Sequence, residues 1–230
     1  MIDLHSHILP GMDDGSKDPE MSRAMLEQMH RQGTGTVVAT PHFYARQHTP
    51  ESFLERRAEA AAKMEYDPET APQVLLGAEV AYFDGMSRSD DLIKLQLADS
   101  GLLLVEMPIG PWTMRMVQEL YQLQTQLGLT PVLAHVDRYR RADQLPKYMR
   151  QLLSQGTLFQ CNAYPFLHFL NRRWALGQLA RGNIHFLGSD SHNLTDRAPN
   201  LQAAATVISR KLGAEFLDEM TSFSKDLLKL

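Results

Sequence analysis

The sequence predicts an α/β protein in which seven parallel strands and their helices close into a TIM-like (β/α) barrel. The first observation is alternation: four times a helical stretch ends at a glycine and an apolar run follows, at Gly33, Gly128, Gly156 and Gly182. This order is typical of parallel strands joined by right-handed crossovers. The second observation is that six of the apolar runs end at a histidine, aspartate or glutamate. Six strands can share one site only if the sheet closes, because an open doubly wound sheet gathers its ligands at a single switch point.

The strands are predicted where short apolar runs lie between turn residues. Runs of this length are typical of strands that are buried on both faces. The seven predicted strands cover residues 2–7, 36–41, 73–79, 101–106, 131–136, 157–162 and 184–189. All except 157–162 carry a candidate ligand at the C-terminal end, which is the end where barrels of this type hold their active sites.

The segments between the strands have helical spacing and helical end signals. In the first of them, Asp18 is a predicted N-cap, Pro19 follows at the first helical position, and Gly33 ends the helix. Further helices are predicted from Thr49-Pro50, from about Trp112 to Gly128, over 144–155, over 171–181, and over about 199–227 with a break near Gly213.

Length and composition indicate one globular domain over residues 1–230. There is no linker composition, and a chain of 230 residues with 43% hydrophobic residues is long enough to bury a core. The net charge of −4, without a basic run, argues against nucleic acid as the main partner. We expect no membrane insertion, since no apolar stretch has the length of a membrane span. A single cysteine and the absence of a signal-peptide pattern favour the cytoplasm.

The most informative motif is His5-Ser6-His7 at the end of the first strand. Residues i and i+2 of a strand point to the same face, so the two imidazoles can bind one metal ion from the same side. Equivalent side chains follow the other strands. The candidate metal ligands are His5, His7, Asp14 (or Asp13), His42, Glu79, Glu106, His135, Asp190 and His192. Spacing alone does not choose between the two aspartates.

Nine ligands exceed the need of one ion, because a catalytic zinc usually takes three protein ligands. They suit two or three ions with a bridging glutamate, and imidazole with carboxylate favours manganese, iron or zinc over a thiolate site. Three divalent ions and four carboxylates leave a formal charge of about +2, which complements a phosphomonoester dianion. Arg138 and Arg197 follow two of the ligands and are candidates to bind the phosphate oxygens.

Other residues of these types are expected to be structural. His30, His48, His168 and His185 lie away from the C-terminal strand ends or on helices. Cys161 lacks the arginine six residues later that cysteine-dependent phosphatases carry, since position 167 is Leu167. Catalysis is therefore predicted to be independent of Cys161, which is expected to be a small buried residue.

Six segments of the chain resemble the polymerase and histidinol phosphatase (PHP) family. They are HSHILPGMDDG (5–15), ATPHF (39–43), GAEV (77–80), VEMP (105–108), AHVDRY (134–139) and GSDSHN (188–193). The likeness is greatest to the bacterial branch of manganese-dependent tyrosine phosphatases encoded with capsule and exopolysaccharide genes. It runs from residue 1 to about 200, while the loops 43–72 and 80–100 match poorly.

The resemblance implies a distorted seven-stranded barrel, the PHP fold, with three divalent metal ions at its C-terminal mouth. Manganese is expected, with iron, zinc or cobalt as other possibilities. One ion would be held by His5, His7, Glu79 and Asp190, a second by Asp14, His42 and His192, and a third by Glu79, Glu106 and His135. Arg138 and Arg197 match arginines that contact phosphate, and Tyr139 is a further candidate substrate-binding residue.

The implied activity is hydrolysis of phosphotyrosine by direct attack of a metal-bridged hydroxide. The implied substrate is the phosphorylated tail of a bacterial tyrosine kinase that controls polysaccharide synthesis. A small-molecule phosphatase of the histidinol-phosphate type uses the same metal set; an open aromatic mouth would favour phosphotyrosine instead. Seven aromatic residues follow strand ends and are candidates for such a mouth: Phe43, Tyr44, Tyr82, Phe83, Trp112, Tyr139 and Tyr164. An amidohydrolase and a metal-stabilised binding domain are the remaining alternatives.

Overall fold

The computed structural model describes residues 1–140 and 144–230, and the side chains outside 141–146. Within these ranges the chain forms nine strands, eight α-helices and three short 3₁₀ helices. The strands are β1 (Ile2–Ser6), β2 (Thr36–Ala39), β3 (His42–Phe43), β4 (Gln73–Leu76), β5 (Glu79–Ala81), β6 (Leu102–Glu106), β7 (Thr130–Leu133), β8 (Leu158–Asn162) and β9 (Phe186–Gly188). The helices are α1 (Pro19–Arg31), α2 (Pro50–Ala62), α3 (Met114–Leu127), α4 (Gln144–Ser154), α5 (Tyr164–Leu167), α6 (Phe169–Ala180), α7 (Leu201–Leu212) and α8 (Ala214–Leu228).

All strand pairs in the two sheets are parallel, as the alternation of helices and strands predicted. One sheet has the order β1-β2-β4, and the other has the order β3-β5-β6-β7-β8-β9. The chain is therefore a mixed α/β fold built on a parallel half-barrel. A single closed sheet of seven strands stays a prediction.

The predicted strands 36–41 and 73–79 are each interrupted, and this separates the two sheets. Pro41 has no N–H to donate to a ladder, so β2 ends before it and β3 begins after it. In the neighbouring strand, Gly77 lies so close to Leu97 that a Cβ atom would come within 2.5 Å of it. Before the breaks, β2 pairs with β1 and β4 pairs with β2; after them, β3 pairs with β5 and β5 pairs with β6.

The ends of the sheets approach each other beside the predicted site. The backbone N–H of Asp190 donates to the carbonyl of His5 at 2.8 Å, and that of His7 donates to Ser191 at 2.9 Å. Ser6 and Ser191 form an isolated parallel bridge. The first and last strands are thus adjacent, so their histidines and aspartate meet although they are 185 residues apart in sequence.

The helices begin and end close to the predicted positions. The side chain of Asp18 accepts a hydrogen bond from the N–H of Met21 at 2.8 Å, as an N-cap does. Met25 and Met29 of α1 are buried in the core. The predicted break near Gly213 separates α7 from α8. No helix in the described ranges has the length and apolar character of a membrane span.

Candidate metal centre

The nine predicted ligands lie at the C-terminal ends of the strands. β1, β3, β5 and β6 carry one each, and the loops after β1, β7 and β9 carry the remaining five. Three groups have ligand atoms within 4.8 Å of one another: His7, Asp14, His42 and His192; His5, His7 and Asp190; and His42, Glu79 and Glu106. The sequence therefore identified residues that the fold brings together.

Glu79 lies at the centre of the cluster and is only 1% exposed. Its Oε2 atom is 3.1 Å from His5 Nε2, 3.3 Å from His7 Nε2 and 3.1 Å from His42 Nδ1. Its Oε1 atom is 2.8 Å from His135 Nε2. Burial raises the pKa of this carboxyl, but the surrounding imidazoles outweigh burial and hold the pKa well below its usual range. The ionised form of Glu79 is therefore favoured, and both of its carboxylate oxygens face imidazole nitrogens of the cluster.

The outer nitrogen of three imidazoles contacts an oxygen that accepts hydrogen bonds. Nδ1 of His5 is 3.2 Å from the side-chain oxygen of Gln160, and Nδ1 of His7 is 2.7 Å from a carboxylate oxygen of Asp13. Nδ1 of His192 is 2.9 Å from the carbonyl of Asp190. Since these acceptors require a proton on Nδ1, the neutral rings present a lone pair on Nε2 to the cluster. That is the tautomer a metal ligand needs.

The cluster fits divalent cations because its inward atoms lack other partners. His42 Nδ1, Glu79 Oε2 and His192 Nε2 are buried without a hydrogen bond among the described residues, and buried polar atoms are normally paired. The Nε2 atoms of His5 and His7 also face each other at 3.1 Å. Burial lowers the pKa of His7, but Asp13 and Glu79 outweigh burial and raise it to about 10, which shows how strongly this site attracts positive charge. Cations would satisfy all of these groups.

The grouping differs from the implied ligand sets in all three groups. His7 joins the group of Asp14, His42 and His192, and Glu79 is absent from the group of His5, His7 and Asp190. The third group contains His42 where the resemblance implied His135. His135 is nevertheless in reach, since its Nε2 atom is 2.8 Å from Glu79 and 3.2 Å from Glu106. His135 and Asp190 also have positive φ angles of 31° and 53°, a rare conformation for residues other than glycine. The chain holds both residues in a strained backbone, as functional sites often do.

The structure separates the two aspartates that spacing left equivalent. Asp14 is 62% exposed, and its Oδ1 atom is 3.4 Å from His192 Nε2 and 3.6 Å from His42 Nε2. The side chain of Asp13 is only 7% exposed and faces away from the cluster. It accepts from the N–H groups of Gly15 and His42, both at 2.9 Å, and contacts His7 Nδ1. Asp14 therefore points its carboxylate at the cluster, and Asp13 positions the residues around it.

Both predicted phosphate-binding arginines contact Asp190. Arg197 donates to one carboxylate oxygen at 2.9 Å, and Arg138 donates to the other. Arg138 also lies 3.6 Å from Glu106, and Arg197 lies 3.4 Å from Asp14. Arg138 therefore has two acidic partners at the cluster, Asp190 and Glu106. Each guanidinium is about one-third exposed, so it retains donors that face the mouth.

Tyr139 does not have the exposure that the predicted substrate contact requires. Its ring is fully buried, and its hydroxyl accepts a hydrogen bond from the N–H of Met107 at 2.9 Å. The ring packs against Trp112 and lies beside His135. We therefore correct this assignment: Tyr139 is buried beside His135 and does not line the mouth.

The seven aromatic residues after the strand ends divide into two sets. Phe43, Trp112 and Tyr139 are packed in the core. The other four reach cavities on either side of the cluster. One cavity, of about 730 Å³, is lined by Tyr44, Tyr82 and Phe83. The other, of about 560 Å³, is lined by Tyr164 together with Arg138, Asp190 and Arg197.

Sequence analysis missed Gln160 and Asn162, which carry no metal-ligand signal. They are buried on β8 two residues apart and so share one face. The oxygen of Gln160 contacts His5 and the N–H of His135, and Asn162 donates to Asp190 at 2.9 Å. Two amides at i and i+2 in an otherwise apolar run were the available signal.

Cys161 is fully buried between these two amides, as expected. Its sulfur lies 3.7 Å from a carboxylate oxygen of Asp137. Burial and this neighbouring charge raise the pKa of the thiol well above its usual value. The thiolate that nucleophilic catalysis requires is therefore disfavoured.

Comparison with known proteins gives relatives over the full length of the chain. The family described as "Capsular polysaccharide synthesis, CpsB/CapC" matches residues 1–228. Tyrosine-protein phosphatase CpsB of Streptococcus pneumoniae is 33% identical, covering 96% of this chain and 94% of that protein. Tyrosine-protein phosphatase YwqE of Bacillus subtilis is 31% identical, covering 100% and 92%.

Solved structures agree with this assignment. One solved structure superposes on this chain with a TM-score of 0.84 at 29% identity. It comes from a study of B. subtilis YwqE and S. pneumoniae CpsB, which that study describes as unique metal-dependent tyrosine phosphatases. It covers 100% of this chain and 94% of its own. A phosphotriesterase-like lactonase of Deinococcus radiodurans, at 15% identity and a TM-score of 0.51, covers 99% of this chain and 94% of its own and shares only the fold. The chain belongs to the CpsB/CapC family of capsular polysaccharide synthesis.

Proposed function

We propose that this chain is a metal-dependent tyrosine-protein phosphatase. The observation that carries the proposal is the position of Arg138 and Arg197, which grip Asp190 from both sides at the edge of a histidine and carboxylate cluster. A site that combines cations with two guanidinium groups is complementary to a phosphoryl dianion. Full-length similarity to proteins named as tyrosine phosphatases supports phosphotyrosine as the substrate.

We propose that the cluster binds three divalent metal ions, with manganese as the first candidate and Glu79 as the bridging ligand. The tautomers of the histidines and the buried unpartnered atoms support a metal site, and the number of ligands supports more than one ion. The proposed ligands are His5, His7, Asp14, His42, Glu79, Glu106, His135, Asp190 and His192. When bound, the ions supply activated water and neutralise charge on the phosphoryl oxygens.

The chain's own residues bind and orient the substrate in this proposal. Arg138 and Arg197 bind the non-bridging oxygens of the phosphoryl group through N–H groups that face the mouth. These hydrogen bonds become stronger as negative charge develops on the oxygens in the transition state. The phenol that leaves has a pKa of about 10, so its departure needs less protonation than that of an alkoxide. No acid from the chain is assigned to this step.

The finer features implied by the resemblance belong to the same proposal. The two sheets, joined through the contacts of β1 with β9, make up a distorted seven-stranded barrel around the metal centre. The substrate is a phosphotyrosine protein, a tyrosine kinase of polysaccharide assembly, and the reaction takes place in the cytoplasm. The family's description as a capsule synthesis family supports this substrate.

The test is hydrolysis of a phosphotyrosine peptide by manganese-loaded protein. A phosphoserine peptide of the same sequence and histidinol phosphate are the comparison substrates. We expect turnover of the phosphotyrosine peptide, loss of turnover on adding a chelator, and recovery with manganese. If the protein prefers histidinol phosphate, it is a small-molecule phosphatase and the proposed substrate is wrong. If turnover persists in the presence of the chelator, the metal-dependent mechanism is excluded.

A further inference from the structure

One cavity connects the metal centre to an exposed aromatic surface. Its volume is about 560 Å³, and Asp190, Arg138 and Arg197 line it at the cluster. Tyr164 and His168 line the same cavity beyond them. A phosphoryl group bound by the two arginines would therefore have a continuous space in which the rest of the substrate can lie.

Tyr164 is exposed although its neighbours are buried. Its side chain is 56% exposed, whereas Pro165 and Phe166, the next two residues of α5, are buried. The Tyr164 ring packs on the ring of His168, with centroids 5.5 Å apart and an angle of 32° between the planes. An aromatic ring that is held on one side and open on the other offers a face for a second ring.

Hydrogen bonds fix the backbone around Tyr164, so binding a substrate ring there costs little additional conformational entropy. The N–H of Ala163 donates to the carbonyl of Gly188 at 2.9 Å. The guanidinium of Arg172 donates to the carbonyls of Phe166 and Leu167, both at 2.8 Å. These bonds tie the ends of α5 to β9 and to α6.

The apolar surface continues beyond the cavity. Phe169 is 83% exposed and Leu170 is 66% exposed, and they follow His168 directly at the start of α6. Charge does not distinguish substrates here, because Asp137 and Asp196 line the cavity together with its arginines. Selection has to come from the rings and the apolar side chains.

We propose that the Tyr164–His168 ring pair binds the phenyl ring of phosphotyrosine and that Phe169 and Leu170 bind an apolar residue beside it in the polypeptide. This surface, defined by residues 164 and 168–170, explains how a site that recognises any phosphomonoester selects phosphotyrosine in a protein. The inference rests on the proposed phosphatase function and names the substrate features that the site reads.

The experiment compares five proteins on three substrates. The proteins are the wild type, Tyr164→Ala, Tyr164→Phe, which keeps the ring, Phe169→Ser, and the control Tyr121→Ala, which removes an exposed tyrosine from α3 away from the cavity. The substrates are a phosphotyrosine peptide with a leucine beside the phosphotyrosine, the matched phosphoserine peptide, and para-nitrophenyl phosphate. All proteins are loaded with manganese, and kcat and KM are measured separately.

We expect Tyr164→Ala to raise KM about two- to twelvefold for both aromatic substrates, since a ring pair contributes about 0.5–1.5 kcal/mol. kcat and the phosphoserine reaction should not change, and Tyr164→Phe should behave as the wild type. Phe169→Ser should raise KM for the phosphotyrosine peptide but not for para-nitrophenyl phosphate, which has no polypeptide. Tyr121→Ala should change nothing.

Binding of a peptide with a non-hydrolysable phosphonate analogue of phosphotyrosine separates this inference from the proposed function. If the wild type hydrolyses no phosphotyrosine but Tyr164→Ala still weakens phosphonate binding, the phosphatase proposal fails and the surface stands. If the wild type is a phosphatase and Tyr164→Ala has unchanged KM and unchanged phosphonate affinity, the surface is overturned. An equal rise in KM for the phosphoserine and phosphotyrosine peptides in Tyr164→Ala would also overturn it, because the surface would then not recognise the phenyl ring.

Discussion

The side-chain oxygen of Gln160 contacts Nδ1 of His5 at 3.2 Å. The same oxygen accepts from the backbone N–H of His135 at 2.6 Å. The amide group of Gln160 donates to Asn162 at 3.0 Å, and Asn162 donates to Asp190 at 2.9 Å. β8 carries none of the predicted ligands, yet it positions three of them, on β1, after β7 and after β9.

Gln160→Met should therefore weaken metal binding while most of the fold is kept. The substitution retains the volume of the side chain but removes the acceptor that fixes the His5 tautomer. Loss of such outer partners typically costs ten- to a hundredfold in metal affinity. Manganese titration followed by calorimetry measures this directly. The control is Gln178→Met, which removes an amide contact with Asn183 far from the cluster and should leave manganese affinity unchanged. Normal affinity in Gln160→Met would show that the amide has no positioning role.

Asp13→Asn and Asp14→Asn should give opposite phenotypes. Asp14 is exposed and points at His42 and His192, so its loss should remove one metal ion and leave the melting temperature of the metal-free protein nearly unchanged. Asp13 accepts two backbone hydrogen bonds and contacts His7. Its loss should destabilise the fold by about 1.5–3 kcal/mol per charged hydrogen bond lost. Elemental analysis measures the metal content, and thermal melts measure the stability. Loss of metal in Asp13→Asn together with loss of stability in Asp14→Asn would reverse the two assignments.

Protein loaded with manganese should bind close to three ions per chain. A chelator should lower the melting temperature, because a ligand that binds only the folded state stabilises it by mass action. Mass spectrometry of the native protein and thermal scans with and without chelator provide the two readouts. A stoichiometry of one ion would contradict the three-ion proposal.

Arg138→Ala should reduce turnover about a hundredfold, as loss of a donor to transition-state charge typically does. Arg138→Lys should restore only part of it, since an ammonium cannot donate to two oxygens in a fixed fork. Arg115→Ala is the matched control, because Arg115 also pairs with acidic residues but lies on α3. The contact of Arg138 with Asp190 makes metal content a necessary second measurement. Full turnover in Arg138→Ala would remove this residue from the catalytic set.

Cys161→Ser should keep nearly full activity. The thiol is buried, and its sulfur lies beside Asp137, which is not one of the predicted ligands. Steady-state kinetics on para-nitrophenyl phosphate, with a melt to show that the variant is folded, tests this. A folded but inactive Cys161→Ser protein would contradict metal-dependent catalysis.

Much of the fold could be predicted because its signals are local. Alternating helices and strands, the Asp18 N-cap and the break at Gly213 all appear close to their expected places. The interruption of the second and third predicted strands was not foreseen. In the second strand, Pro41 was an available local signal. In the third, the break falls at Gly77, which packs closely against Leu97, 20 residues away in sequence, and this contact has no local signal.

The sequence by itself determined which side chains form the centre. A ligand at the C-terminal end of a parallel strand is placed by strand geometry, so His5, His7, Glu79 and their partners could be identified from position alone. The tertiary structure decided what each neighbouring residue does. It turned Asp13 away from the cluster, paired Arg138 with Asp190, buried Tyr139 and set Gln160 against His5. These outcomes depend on contacts between distant segments, whose geometry no local pattern encodes.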